Sequence, residues 1–194
     1  MQSTSEGMRV SFLPLEPSMA DRLAELGNDA EVSMYAASEQ QFPFPYGRDD
    51  ALSFIEASVA EAAAGIGFHF AVAIEGSGII GAAGIGRINS QESHAEIGYW
   101  LGKEYWHKGY GTETSALLLR IGFYDLGLNK ISCIVPTGNV RSARLLEKLG
   151  FKNCGVLREE MSRGGRFMDC SIYEILKREF DSGMSGAPAH SPIS

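Results

Sequence analysis

A glycine-bearing turn between a strand-like run and a helix-like run is the feature of this sequence that most directly suggests chemistry. The strand-like run is E-I-G-Y-W-L at residues 96–101, and the turn is H-K-G-Y-G-T at residues 107–112. The first backbone N–H groups of a helix have no internal partner, and the helix dipole favours negative charge there. Glycine lets a phosphate approach the backbone without a Cβ in the way. The turn therefore predicts a ligand that carries phosphate.

The turn differs from the common nucleotide-binding motifs. It lacks the Gly-Lys-Ser/Thr of a P-loop, and Thr114 stands where a dinucleotide-binding motif has its third glycine. Gly81, Gly84 and Gly86 lie inside a strand-like run with no helix after it, so we interpret them as hairpin or bulge glycines. Neither a metal-binding His/Cys pattern nor a G-x-S-x-G nucleophile motif is present, and the sequence indicates no metal.

Two segments resemble the GNAT N-acetyltransferases, and in particular their RimJ/RimL-like branch, which includes ribosomal-protein acetyltransferases. Residues 95–113 (A-E-I-G-Y-W-L-G-K-E-Y-W-H-K-G-Y-G-T-E) resemble the acetyl-CoA motif of that family. Residues 139–151 (N-V-R-S-A-R-L-L-E-K-L-G-F) resemble its Asn-x-x-Ser…Glu-Lys-Leu-Gly-Phe helix, in the expected order. Milder echoes at residues 43–55 and 165–176 extend the resemblance over residues 8–180.

The resemblance implies that acetyl-CoA binds as co-substrate along the first of these segments. Backbone groups near Tyr99 and Leu101 would pair with the pantetheine amides, and the amides of the turn would hold the pyrophosphate. Asn139 and Ser142 would contact the pantetheine end near the thioester. The expected cofactor-binding residues are Tyr99, Trp100, Leu101, His107, Lys108, Gly109, Tyr110, Gly111, Thr112, Asn139 and Ser142.

Two positions depart from the general pattern of the superfamily. Trp106 stands three residues before the first glycine, where Gln or Arg is preferred, although Trp is common in the RimJ/RimL-like branch. Leu146 stands where many members carry a Tyr that protonates the departing thiolate, and leucine cannot do this. The resemblance to the RimJ/RimL-like branch implies that Ser142 is the donor instead. The missing Tyr also leaves open a different class of protein, a non-catalytic module that binds acyl-CoA.

Acetyl transfer to an amine needs a group that removes the amine proton and a donor for the tetrahedral oxyanion. A backbone N–H near Tyr99 is the expected oxyanion donor. Glu96 is the candidate base or amine ligand because it alternates with Gly98 and Trp100 on the face expected to line the reaction site. A solvated or paired carboxylate is the alternative interpretation of Glu96. His94, on the same face, is a weaker candidate.

Other side chains have both a functional and a packing interpretation. Phe42, Phe44 and Tyr46 either wall the acceptor pocket or pack their own loop. His107 is expected to position the turn rather than act as a base. Cys133 is expected to be a core residue, since no partner base for a thiol nucleophile is evident.

The branch resemblance favours a protein N-terminal amine, such as that of a ribosomal protein, as the acceptor. Small-molecule amines (amino acids, polyamines or antibiotics) remain the alternative. The net charge of −7 mildly favours cationic substrates and argues against a nucleic-acid partner. Three separated cysteines, no signal-peptide pattern and no long apolar run predict a cytoplasmic protein without a membrane partner. The sequence leaves the oligomeric state open, a homodimer included.

The periodicity predicts the elements that must position these groups. Strands are expected at residues 9–15, 68–74, 79–88, 94–101, 130–135, 151–161 and 166–176. Helices are expected at residues 17–26, from Asp49 or Asp50 to 64, at 112–126, and at 140–149 with Asn139 as cap. The predicted fold is α/β (α+β): a mixed, mostly antiparallel sheet with helices on both faces, splayed in the middle as in GNAT proteins. Residues 1–180 would form the domain, and the Ser/Gly/Pro-rich residues 181–194 a flexible tail.

Overall fold

One mixed β-sheet carries the architecture of the chain, which a computed structural model describes for residues 8–36 and 39–184. Within those residues the sheet has seven strands, in the order β1-β2-β3-β4-β5-β7-β6. Only β4 and β5 run parallel, so the mixed, mostly antiparallel sheet predicted from the sequence is confirmed. The strands are β1 (Val10–Pro14), β2 (Phe68–Ile74), β3 (Gly78–Asn89), β4 (His94–Leu101), β5 (Lys130–Pro136), β6 (Lys152–Arg163) and β7 (Arg166–Leu176).

The helices bury two separate apolar cores against this sheet. The helices are α1 (Ala20–Gly27), α2 (Ala30–Ala36), α3 (Arg48–Ala64), α4 (Tyr110–Arg120), α5 (Val140–Lys148) and α6 (Lys177–Met184). The larger core places Leu117–Leu119 of α4 against Ile97 and other strand residues. The smaller core places residues of α1, α2 and α3 against Ala82 of β3.

The sheet splays between β4 and β5. These strands pair only where His94, Ala95 and Glu96 face Lys130, Ile131 and Ser132. Beyond that point β4 stays paired with β3, and β5 stays paired with β7 as far as Pro136. The edge of β4 that faces β5 is therefore unpaired from residue 97 onward, which opens the crevice predicted between the two strands.

Two glycines of β3, Gly81 and Gly84, allow neighbouring groups to come close. A Cβ on Gly81 would lie 2.1 Å from the carbonyl oxygen of Trp100, and the register shifts beside Gly81 and again after Gly86. Irregularities next to these two glycines agree with the bulge interpretation. Gly84 has a different reason, since its Cβ would lie 2.1 Å from Nδ1 of His69. No local sequence pattern predicts that the His69 side chain comes so close to Gly84.

Several predicted boundaries were wrong. Gly47, rather than Asp49 or Asp50, is the N-cap of α3, and the Asp50 carboxylate accepts the Gly47 N–H at 2.8 Å. Helix α4 starts at Tyr110, two residues earlier than predicted, and continues as a π-helical turn over Ile121–Asp125. Helix α2 was not predicted.

The final helix corrects part of the predicted tail. Residues 181–184 belong to α6, where Asp181 accepts hydrogen bonds from Tyr124 at 3.0 Å and from Lys177 at 2.6 Å. The remaining predicted tail, residues 185–194, lies outside the described residues, so the division into domain and tail stays a prediction.

Candidate functional site

Two cavities meet at the centre of β4. The first, about 330 Å³, lies between the glycine turn and the start of α5, and we call it the crevice. The second, about 600 Å³, lies on the side of the sheet that faces α3, and we call it the floor cavity. Both are lined by Tyr35, Ala36, Tyr99 and Trp100. The two cavities therefore adjoin at Tyr99 and Trp100.

Most of the predicted cofactor-binding residues line the crevice. Those that do are Tyr99, Trp100, Leu101, His107, Gly109, Gly111, Thr112, Asn139 and Ser142. Lys108 and Tyr110 do not line it. The Lys108 carbonyl accepts a hydrogen bond from Arg9 Nη2 at 2.8 Å, and the Arg9 guanidinium lies 4.6 Å from the centre of the Tyr110 ring. These two residues help to fix the outer side of the turn.

The structure adds crevice residues that were not predicted. Arg141 stacks its guanidinium 4.1 Å from the centre of the Trp106 ring and lies 3.4 Å from Nε2 of His107. Arg144 also lines the crevice, one helical turn from Arg141. The sequence could have predicted that both arginines face the crevice together, because they are three residues apart in R-S-A-R and residues at that spacing share a helix face. The others are Val32, Tyr35, Ala36, Tyr105, Trp106 and Leu145.

The two glycines of the turn are required for different reasons. Gly109 caps α4 with φ of 87°, in the left-handed region that favours glycine. Gly111 has an ordinary backbone, but a Cβ there would lie 2.9 Å from the hydroxyl oxygen of Tyr99 and 3.2 Å from Leu145. Gly111 therefore lets α4 approach β4 and α5 closely. The start of α4 consequently faces the crevice, as an anion site requires.

A pair of hydroxyl groups lies where the crevice meets β4. The Asn139 side chain caps α5 by accepting the Ser142 N–H at 3.2 Å, which confirms the predicted cap. The Ser142 side chain acts on the Tyr99 phenol and favours a lower pKa, but burial has the larger influence. Burial raises the pKa of Tyr99 to about 12, so this phenol stays protonated and can donate. The sequence had predicted only backbone contacts for Tyr99.

Leu146 takes no part in this site. Its side chain is 2% exposed and packs in the larger core. The position that many family members give to a tyrosine is therefore a core position here. A proton donor in the crevice would have to be another residue, and Ser142, which lines the crevice, stays the predicted one.

Glu96 lines the floor cavity and is also paired, so its role as base or amine ligand stays a prediction. It lines the floor cavity beside Gly98 and Trp100, as the alternation predicts. Its Oε1 also accepts a hydrogen bond from Arg87 Nη1 at 3.0 Å, and the side chain is 32% exposed. Glu96 is thus a paired carboxylate that faces the cavity. His94 lines neither cavity.

Glu160 is another carboxylate on the floor cavity, and it was not predicted. It comes from β6, where the pairing with β7 is irregular between Leu157 and Met161 and Glu159 has φ of 53°. Among the described residues, no hydrogen bond or ion pair involves its carboxylate. The only sequence signal was a pair of glutamates inside a strand-like run, which does not say which cavity either one faces.

The aromatic loop before α3 both packs and lines the floor cavity. Phe42 and Tyr46 are buried, stack with ring centres 4.1 Å apart, and line the cavity. Phe44 is 54% exposed and lines neither cavity.

Burial raises the pKa of Cys133 to about 12, which disfavours a thiolate and fits the predicted core role.

Two further properties concern only the part of the chain that the structure describes. Within residues 8–36 and 39–184, no three His, Cys, Asp or Glu side chains are grouped so that they could hold a metal ion. In the same residues, every helix is too short or too polar to span a membrane.

The family of the chain follows from comparison with known sequences. Residues 9–152, well over half of the chain, match the model of the acetyltransferase (GNAT) domain. The chain therefore belongs to the GNAT acetyltransferases and is an N-acetyltransferase. The family resemblance stated from the motifs is confirmed.

Individual relatives agree with this. The uncharacterized N-acetyltransferase p20 of Bacillus licheniformis is 32% identical over 173 residues, which cover 89% of this chain and 95% of p20. RimJ of Mycobacterium smegmatis, solved with CoA-disulfide, shares the fold with a TM-score of 0.80 at 21% identity, over 88% of this chain and 83% of RimJ. Spermidine N-acetyltransferase of Vibrio cholerae, solved with CoA and spermine, has a TM-score of 0.76 at 25% identity, over 89% and 98% of the two chains.

Proposed function

We propose that this enzyme transfers the acetyl group of acetyl-CoA to a primary amine, and that the preferred acceptor is a protein N-terminal amine. The observation that carries the proposal is the meeting of the crevice and the floor cavity at Tyr99 and Trp100. The RimJ/RimL-like motifs and the shared fold with RimJ support a protein acceptor. The likeness to a spermidine acetyltransferase favours the second candidate, a small amine.

The crevice suits acetyl-CoA in its charge and in its free backbone groups. The amides at the start of α4 would bind the pyrophosphate, and Arg141 and Arg144 add positive charge beside it. The unpaired edge of β4 would pair with the pantetheine arm. The Leu101 carbonyl already accepts the Trp106 indole N–H at 2.8 Å, so Leu101 would offer its second lone pair or its own N–H.

The floor cavity would hold the amine opposite the thioester. After the amine loses a proton, its lone pair forms the new C–N bond, and the carbonyl oxygen takes the negative charge beside a backbone N–H near Tyr99. The carbonyl then re-forms as the C–S bond breaks, the leaving sulfur accepts a hydrogen bond from the Ser142 hydroxyl, and the second proton released by the nitrogen ends on the sulfur as the thiol of free CoA. Glu96 would attract the ammonium form or take its proton. Its pairing with Arg87 favours the first role, and Glu160 would then be the carboxylate free to take the proton.

The release of free CoA thiol from acetyl-CoA tests this proposal directly. The acceptor panel would contain peptides with free N-termini, polyamines, amino acids and aminoglycosides. We expect the peptides to give the highest kcat/KM. Faster turnover of a small amine would overturn the proposed acceptor, and no thiol release with any amine would favour a non-catalytic acyl-CoA-binding module.

A further inference from the structure

A glutamate–histidine pair lies on the floor cavity and has no part in the reaction just described. His69 of β2 and Glu61 of α3 both line the cavity, with His69 Nε2 2.8 Å from Glu61 Oε2. The Phe54 ring meets the imidazole edge-on, with ring centres 5.8 Å apart. The histidine side chain is 22% exposed and the glutamate 40%. The imidazole is therefore held in one orientation while remaining open to the cavity.

Two glycines beside this pair leave the space that the Glu61 and His69 side chains occupy. A Cβ on Gly67 would lie 2.4 Å from Glu61 Oε2, and a Cβ on Gly84 would lie 2.1 Å from His69 Nδ1. Cβ atoms essentially never come so close to another heavy atom, so any other residue at either position would displace the pair. The local shape of β2 and β3 is thus fitted to the two side chains.

The strand register places the pair close to the centre of β4. His69 is opposite Gly84, and Gly84 is opposite Gly98, so the three positions form one row across β2, β3 and β4. Neighbouring strands are about 5 Å apart. Since Nδ1 lies over Gly84, it is about one strand spacing from the space above Gly98. A Cβ on Gly98 would meet no atom within 4 Å, so that space is open for the acceptor.

The chemistry of the pair defines what it can bind. When Nε2–H donates to Glu61, Nδ1 of the neutral ring has a lone pair and accepts a hydrogen bond. The adjacent Glu61 carboxylate makes a cationic donor the best partner. The other charged groups on the cavity are Asp50 of α3, Arg87 of β3, Glu96 of β4 and Glu160 of β6. Together with Glu61, the carboxylates on the cavity outnumber its basic side chains, Arg87 and His69.

We propose that the Glu61–His69 pair binds a second protonated amine on the acceptor, a few bonds from the amine that is acetylated. This inference rests on the proposed function, because it assumes that the acceptor amine occupies the space above Gly98. It defines the substrate class more narrowly: the acceptor has two amino groups, either in one alkyl chain or as an N-terminus followed by a lysine.

Calorimetry on the CoA-saturated protein tests the pair without depending on turnover. The probes are an α,ω-diamine with a four-carbon chain and butylamine, which lacks the second amine. We expect the diamine to bind about tenfold more tightly, and Glu61→Gln or His69→Gln to abolish that preference while butylamine binding is retained. Glu56→Gln is the matched control, because Glu56 is exposed on the same helix, does not line the cavity and carries the same charge. It should keep the preference.

Equal affinity of the wild-type protein for both probes would overturn the inference, as would a preference that survives in Glu61→Gln. A melting curve for each variant guards against misfolding, and Glu61→Gln, at a partly exposed site, keeps the test valid if His69→Gln unfolds. A second arm compares peptides with lysine or norleucine at the second position and so separates a peptide source from a free diamine. Failure of the proposed function is a different result: no thiol release from acetyl-CoA with any amine, whatever the binding preference.

Discussion

The crevice and the floor cavity are built in different ways, although they share Tyr99 and Trp100. The crevice is formed mainly by two contiguous segments, the turn before α4 and the start of α5, and much of what it offers is backbone. The floor cavity takes its polar side chains from α2, the loop before α3, α3 itself and four strands, β2, β3, β4 and β6. A cofactor common to a family can be bound by conserved local geometry, whereas an acceptor is selected by side chains that meet only in the folded chain.

The largest effect is expected where the two cavities meet. Ser142→Ala removes the hydroxyl that would donate to the leaving sulfur, and a positioned proton donor contributes about 10²–10⁴-fold to rate. We expect kcat to fall by this order while the affinity for acetyl-CoA changes little. Tyr99→Phe, which keeps Ser142 and removes only the neighbouring phenol hydroxyl, should give a smaller fall. If Ser142→Ala raises KM for acetyl-CoA at unchanged kcat, Ser142 is only a binding contact.

The next largest effects are expected from substitutions at three glycines, two beside the crevice and one in the floor cavity. Gly109→Ala places a side chain at φ of 87°, and Gly111→Val forces a branched Cβ against the Tyr99 hydroxyl. Strain or overpacking of about 1–3 kcal/mol should weaken acetyl-CoA binding by about tenfold to hundredfold. Gly98→Ala is the control, since its Cβ enters open space in the floor cavity.

Gly98→Ala should leave acetyl-CoA affinity unchanged and raise KM for the acceptor. Calorimetry with CoA and initial rates with the best acceptor measure the two effects separately. Loss of CoA affinity in Gly98→Ala, or unchanged affinity in both turn variants, would show that the assignment of the cavities to the two substrates is wrong.

Substitution of Glu96 tests whether this carboxylate acts on the acceptor amine only through its charge. If Glu96 removes the amine proton, Glu96→Gln should lower kcat/KM by about tenfold or more and shift the acidic limb of its pH profile. If it only attracts the ammonium, KM for the acceptor should rise, and the loss should shrink at high salt. The pairing with Arg87 favours the second result. Glu160→Gln, measured in the same pH and salt series, shows whether the acidic limb of the pH profile belongs to Glu160 instead.

The sequence predicted the crevice better than the floor cavity for a physical reason. The β4 strand, the glycine turn and the cap of α5 each depend on residues close together in the chain, so pattern and motif identify them. The roles of His69, Glu61 and Glu160 depend on strand register and on where α3 and β6 pack. Helix α2, which brings Tyr35 to both cavities, is a single short helix without a clear apolar period. Nothing local distinguishes these residues from ordinary surface polar groups.

The smallest effect is expected at alkaline pH and concerns two tyrosines, one from β4 and one from the aromatic loop before α3. Tyr99 of β4 and Tyr46 of the aromatic loop each have a pKa raised from 10.0 to about 12, and burial is the main cause in both. A raised pKa means that the folded state keeps a proton that the unfolded state loses between pH 10 and about 12. Each tyrosine therefore contributes stability that is fully present below pH 10 and is lost as the pH rises through that window.

Tyr99→Phe and Tyr46→Phe should each reduce the slope of unfolding free energy against pH in this window, as measured by urea denaturation. Addition of CoA separates the two regions, because the ligand covers the crevice. We expect CoA to steepen the slope in wild type and in Tyr46→Phe, since binding further disfavours a charged Tyr99. It should change the slope little in Tyr99→Phe. The same CoA effect in both variants would mean that the ligand does not reach Tyr99, and it would contradict the separation of the two cavities on which the other predictions depend.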